Sequence, residues 1–201
     1  VTHPPTRWEL AGEGNKGYGE TFAHRVSAGE DVDGEARLAD ALAPRNARIL
    51  DIGSGMGRVS AALQARGHRV VATEPDPSLR AQSGSTYASL EVLPHEALAL
   101  DPAELGSFDL VVVVGNVMIY LGEGTERSVL ERVRDLLAPD GRVLLGFHLT
   151  AVKSGSRTYP ADEFVADVAA SGLRVVHRFG SYELREPVDD YAVWVLEPAR
   201  A

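Results

Sequence analysis

The chain has 201 residues, 44% of them hydrophobic, and 29 acidic against 20 basic side chains give a formal charge of −9. That length and apolar share suit one globular domain with an ample core. The acidity opposes phosphate backbones and anionic membranes, so neither nucleic acid nor a membrane surface is an expected partner, and the absence of cysteine excludes disulfides and thiolate metal sites.

Residues 1–33 are polar and punctuated by Gly12, Gly14, Gly17, Gly19 and Gly29, with Trp8, Tyr18 and Phe22 as their aromatics. Such a leader cannot build its own core. It either drapes over the body as a lid, with Tyr18, Phe22 and Arg25 facing a ligand, or stays mobile. Residues 34–201 form the expected single folded domain. Residues 1–5 show no basic segment leading into an apolar run. The longest apolar run, 110–115, is far short of the roughly 20 residues that cross a bilayer. A soluble, cytoplasmic protein is expected.

From residue 34 the pattern alternates. Leu38 and Leu42 mark a helix over 34–43, stopped by Pro44. Arg48–Ile52 reads as a strand, and a helix from about Gly57 carries Val59, Ala62 and Leu63 on one face until Gly67. Arg69–Thr73 is a second strand. Asp76-Pro77 caps a helix towards Gln82. A weak third strand lies near 90–93, and the valine run 109–114 reads as a strand covered on both faces. A helix over 126–137 turns at Pro139-Asp140-Gly141 into a strand at 142–147. A helix over 161–171, the strand Leu173–Phe179 and a strand at 191–196 complete the chain. This order predicts a doubly wound, mostly parallel α/β sheet with right-handed crossovers, closed by an antiparallel hairpin.

The chemistry concentrates where the first strand ends. Asp51-Ile52-Gly53-Ser54-Gly55-Met56-Gly57 turns an apolar strand through three alternate glycines into a helix, and Glu74 ends the neighbouring strand. Gly53 and Gly55 offer bare backbone, Gly57 allows close packing, and Glu74 can accept both hydroxyls of a ribose. A dinucleotide fingerprint would need glycine or alanine where Arg58 stands. Asp51 also suits an ammonium better than a pyrophosphate. S-adenosylmethionine (SAM), with an ammonium, a carboxylate and a sulfonium but no phosphate, matches this set.

Between about Gly34 and Glu197 the sequence resembles the class I, Rossmann-like SAM-dependent methyltransferases, in particular small uncharacterised bacterial members. The resemblance rests on the glycine motif with Glu74, on Phe108-Asp109-Leu110-Val111 with Gly115-Asn116, and on Leu137-Ala138-Pro139-Asp140-Gly141. It implies a seven-stranded sheet in the order 3-2-1-4-5-7-6 with strand seven antiparallel, and SAM as methyl donor with S-adenosylhomocysteine as product. The implied cofactor contacts are Asp51, Gly53, Ser54, Gly55, Glu74 and Pro75, then Glu96 and Ala97 at the adenine, and Asn116 and Val117 beside the methionine moiety. Asn116-Val117-Met118 departs from the asparagine/aspartate-proline-proline-tyrosine motif of methyltransferases acting on amide or base nitrogen.

The expected activity is methyl transfer to a small molecule by in-line displacement. A non-catalytic SAM-binding module and an NAD(P)-type oxidoreductase are the alternatives. No motif names a catalytic residue. His148, at a strand end, and His24, in the leader, are the positioned candidates for a general base. The plainer reading makes the first a packed strand-end histidine and the second part of a solvated helix face. No histidine spacing suggests a metal site. The acceptor and the oligomeric state are not legible.

Overall fold

The computed structural model describes residues 3–152 and 155–199. Seven strands form one sheet in the order β3-β2-β1-β4-β5-β7-β6. The strands are β1 (Arg48–Ile52), β2 (Arg69–Thr73), β3 (Val92–Leu93), β4 (Phe108–Val113), β5 (Leu137–His148), β6 (Leu173–Phe179) and β7 (Tyr191–Pro198). Strands β1 to β5 pair in parallel, and β7 runs antiparallel to both β5 and β6. The order and the reversed last strand are those the sequence predicts.

Alternation along the strands sends side chains to two cores. Leu50, Ile52, Val111, Val113, Val143 and Leu145 face one side and pack under α8 (Glu126–Asp135) and α9 (Ala161–Ala170). Ile49, Leu110, Val112 and Leu144 face the other, beneath α3 (Gly34–Leu42) and α4 (Arg58–Ala65). Asp51 shares the parity of Ile49, so its carboxyl points towards α4.

Two strands differ from expectation. β5 is assigned from Leu137 because Leu137 already pairs with Phe108, while Leu110 pairs with Arg142. Residues 138–141 therefore bulge within the strand instead of preceding it. A Cβ on Gly141 would meet the Phe108 carbonyl oxygen at 2.8 Å, which keeps that bulge glycine-dependent. β3 holds only the pairs Ala72–Val92 and Thr73–Leu93. Pro94, lacking an N–H, cannot extend it.

The leader is folded. It forms α1 (Arg7–Ala11), a 3₁₀ turn (Gly12–Asn15) and α2 (Tyr18–Ser27). Thr6 starts α1 with a capping box, its side chain accepting from the Glu9 N–H while Glu9 takes the Thr6 N–H. Two further helices matter for the site: α5 (Pro77–Thr86) and the short α7 (Val117–Tyr120).

Candidate functional site

A cleft of about 970 Å³, counting space open to solvent, lies at the carboxyl ends of β1, β2 and β4. Its floor is the turn after β1. Gly53 and Gly55 have φ of +68° and +59°, the left-handed region that costs other residues free energy. A Cβ at Gly53 would stand 2.6 Å from Val117 Cγ2, whereas one at Gly55 would meet nothing within 4 Å. Gly53 thus lets α7 approach the turn, and Gly55 faces the open cleft. The Ser54 N–H donates to the Thr73 carbonyl at 2.9 Å, tying the turn to β2.

Two carboxyl groups flank the turn. Glu74, 5% exposed, accepts the Gly55 N–H and the Asp76 N–H, each at 2.9 Å. Burial pushes its pKa up to about 7, against the lowering effect of those two donors. Asp51, 1% exposed, accepts the Ser60 hydroxyl at 2.6 Å, and burial raises it to about 6. The nearby cation, Arg58, is held by Glu35 through two contacts of 2.7 and 2.5 Å and also donates to the Val32 carbonyl. The buried Ser54 hydroxyl has no hydrogen-bond partner among the described residues.

Asp51, Gly53, Ser54, Gly55, Glu74, Pro75, Glu96, Ala97 and Val117 all line this cleft. Glu96 caps the short turn after β3 by accepting the Leu98 N–H at 3.0 Å, and burial raises its pKa. Asn116 does not line it, although Gly115 and Val117 on either side do. The Asn116 side-chain oxygen accepts the His148 backbone N–H at 2.9 Å and stands 3.0 Å from His148 Nδ1. Because the backbone N–H can only donate, the Asn116 atom is the carbonyl oxygen, so Nδ1 carries a proton and the neutral ring keeps its lone pair on Nε2. His148 itself is half-buried, edge-on to Tyr191 with ring centroids 4.8 Å apart.

From the leader, Tyr18 and Phe22 line the cleft, with Trp8 between them and α7. Trp8 packs edge to face on Tyr18 and on Tyr120, at centroid distances of 5.4 and 5.3 Å. Arg25 lies outside, paired with Glu30 at 2.7 Å. His24 is exposed on α2. Sequence reasoning passed over Trp8, Arg58, Leu79, His95 and Tyr120, which also line the cleft. A tryptophan in an otherwise polar, glycine-rich leader was the one available signal. Among the described residues, no three His, Asp or Glu side chains are grouped to hold a metal, and no helix is long and apolar enough to cross a membrane.

The cleft thus joins unhindered N–H groups, an unpartnered hydroxyl, two buried acids and a wall of aromatic rings. Such a set can receive a nucleoside at one end and a zwitterionic or cationic tail at the other.

Comparison with known proteins agrees. A methyltransferase-domain family model matches residues 50–143. The crystal structure of a TehB-like SAM-dependent methyltransferase from Corynebacterium glutamicum superposes with a TM-score of 0.81 at 31% identity, covering 92% of this chain and 97% of that one. The 1,6-didemethyltoxoflavin-N1-methyltransferase of Burkholderia thailandensis, solved with 1,6-didemethyltoxoflavin and S-adenosylhomocysteine, shares the fold with a TM-score of 0.63 at 20% identity, covering all of this chain and 92% of that one. Ribosomal RNA small subunit methyltransferase A of Anaeromyxobacter dehalogenans is 36% identical over 130 residues, 59% of this chain. The chain spans 44% of the length of that relative.

Proposed function

The chain belongs to the Rossmann-like SAM-dependent methyltransferases, and we propose on that basis that it methylates a small molecule held between the glycine turn and the leader. The observation that carries this reading is the cleft itself, where Trp8, Tyr18 and Phe22 of the leader line the same cavity as Gly55 and Glu74. A roofed cavity of this size suits a cofactor with a compact acceptor better than a polymer.

The residues present fit SAM. Glu74 has one backbone donor on each oxygen, leaving each a lone pair for a ribose hydroxyl. Glu96 and Ala97, with Pro75, bound the adenine end. Asp51, with Gly53, Ser54 and Gly55, receives the methionine end, where the unpartnered Ser54 hydroxyl finds a carboxylate or ammonium. Val117 and the backbone at Asn116 stand beside the reacting centre. When bound, SAM supplies an activated methyl group; the chain's share is alignment and exclusion of water, which together supply most of the acceleration.

A hydroxyl acceptor must also lose a proton. We favour His148 for that task, since Asn116 holds its Nδ1 side and leaves Nε2 as the basic nitrogen. His24, exposed on α2, has no such support.

A second reading, methylation of ribosomal RNA, is favoured by the likeness to ribosomal RNA small subunit methyltransferase A. Against it stand the net charge of −9 and a match that covers under half of that relative. Calorimetry with SAM, S-adenosylhomocysteine and NAD comes first, with binding of the first two and not the third expected. Labelled SAM is then offered with a metabolite panel and with small-subunit RNA. Label entering a metabolite supports the proposal. Label entering RNA alone moves the acceptor to RNA, and binding of NAD in place of SAM removes the assigned residue roles.

A further inference from the structure

Helix α1 contributes no buried residue to the molecule, and Trp8 belongs to neither core cluster. Core packing therefore does not hold this segment in place. Its large side chain instead lines the cleft, and its indole Nε1–H donates to Asp76 Oδ2 at 2.8 Å. Asp76 is already committed on its other side. Oδ1 accepts the Ser78 N–H at 2.8 Å as the N-cap of α5, and the Asp76 backbone N–H donates to Glu74 Oε1 at 2.9 Å. One residue thus joins the roof of the cleft to the acid assigned to the ribose.

We infer that Trp8 is a cofactor-site residue positioned by Asp76, and that this single charge-assisted bond sets how fast the cofactor leaves. The inference rests on the SAM site proposed above. The ring of Trp8 bridges Tyr18 of α2 and Tyr120 of α7, so it spans the cleft between the leader and the wall next to the glycine turn. A nucleoside seated on Glu74 lies beneath it and cannot leave until the ring moves. The indole bond is the polar tie that opposes that movement at the ribose side. A neutral donor on a carboxylate is stronger than a neutral pair, and Asp76 keeps its charge there. Burial pushes its pKa up, but the hydrogen bonds from Trp8 and Ser78 outweigh this and leave it lowered overall.

The test uses the full chain and S-adenosylhomocysteine as probe, with association and dissociation rates measured by stopped flow. Trp8→Phe keeps an aromatic roof and removes the donor. Asp76→Ser keeps an N-cap acceptor for α5 and withdraws the oxygen that meets Trp8. Each variant is expected to speed dissociation on the order of tenfold, with association unchanged or faster. The double variant is expected to match either single one, because both break the same bond. Wild-type dissociation in a folded variant, or effects that add in the double variant, would overturn the latch while leaving the cofactor site intact. Should Trp8→Phe fail to fold, Asp76→Ser decides alone. If the wild-type chain binds no S-adenosylhomocysteine, the site assignment fails, and the latch with it.

Discussion

Gly55 donates its backbone N–H to Glu74 Oε2 at 2.9 Å, across nineteen positions of sequence. The bond couples the glycine turn to the acid at the end of β2, so the floor of the cleft and its main carboxylate are one unit. Replacing Glu74 by alanine removes the ribose acceptor and also frees two backbone donors. Glu74→Ala is expected to weaken S-adenosylhomocysteine binding by about 1–3 kcal/mol, read by calorimetry. Glu74→Gln, which keeps one acceptor oxygen, should lose less. Wild-type affinity in the alanine variant would refute the ribose role.

The two buried acids predict a pH dependence. Glu74 and Asp51 sit at about 7 and about 6 in the folded chain, above their ordinary values because burial disfavours the charge. The ligand-free folded chain therefore holds protons that the unfolded chain has released, and its stability is expected to fall as pH rises from about 4 to about 7. Binding runs the other way. Ribose hydroxyls and an ammonium favour the ionised carboxylates, so affinity should climb over pH 6–7 and level off above about 7.5. Proton release on binding near pH 6.5, seen as a calorimetric enthalpy that changes with the buffer's ionisation enthalpy, is the measurement. A buffer-independent enthalpy would show that neither acid changes its proton on binding.

Gly55 and Gly57 should separate binding from stability. Both have positive φ, but a Cβ at Gly55 enters the open cleft, whereas one at Gly57 would lie 2.4 Å from Leu90 Cδ2 and 2.7 Å from Ser83 Oγ. Gly55→Ala is expected to cost about 1–2 kcal/mol of stability from backbone strain alone and to lose most cofactor affinity. Gly57→Ala carries the same strain and an added steric penalty of about 1–3 kcal/mol. Thermal unfolding and calorimetry on the two variants should rank them in opposite order.

The strand order, the glycine turn and Glu74 were legible because each depends on local signals that recur at one sheet edge. Alternating strand and helix patterns dictate right-handed crossovers, and these place the ends of β1 and β2 side by side whatever the loops do. The parts that escaped depend on side chains meeting across long separations. Trp8 reaches Asp76 over 68 positions, Arg58 reaches Glu35 over 23, and His148 reaches Asn116 over 32. No periodicity encodes such pairs. Arg58 stood out only as the residue that breaks a dinucleotide fingerprint, and nothing in the sequence discloses that it stacks near Phe22 with its ring centroid 5.3 Å away. The leader's composition left open whether it folds at all. Its capping box at Thr6 and Glu9 is a local signal that was there to be read.

A last expectation concerns the far end of the leader. Glu126, 3% exposed at the start of α8, accepts Arg7 Nη1 at 3.1 Å and Arg157 Nη1 at 2.6 Å on the same oxygen. Both arginines also hold the wall after α7. Arg7 Nη1 donates to the Leu121 carbonyl at 2.8 Å, and the Arg157 backbone N–H donates to the Ile119 carbonyl at 3.0 Å. Glu126→Ala leaves two guanidinium groups facing each other without their shared counter-charge. Loss of one member of a fully buried pair costs about 3–5 kcal/mol. Here the arginine side chains keep 17% and 20% exposure, so water softens the loss to about 2 kcal/mol, a fall in Tm of about 4–8 °C for a chain of this size. Glu126→Gln restores a hydrogen-bond acceptor without the charge and should recover part of it. The third variant, Arg7→Met, removes one cation and should partly relieve Glu126→Ala when the two are combined, because like charges are then no longer held together. Additive destabilisation in that double variant would mean that Glu126 acts through α8 alone and does not bind the leader to the body.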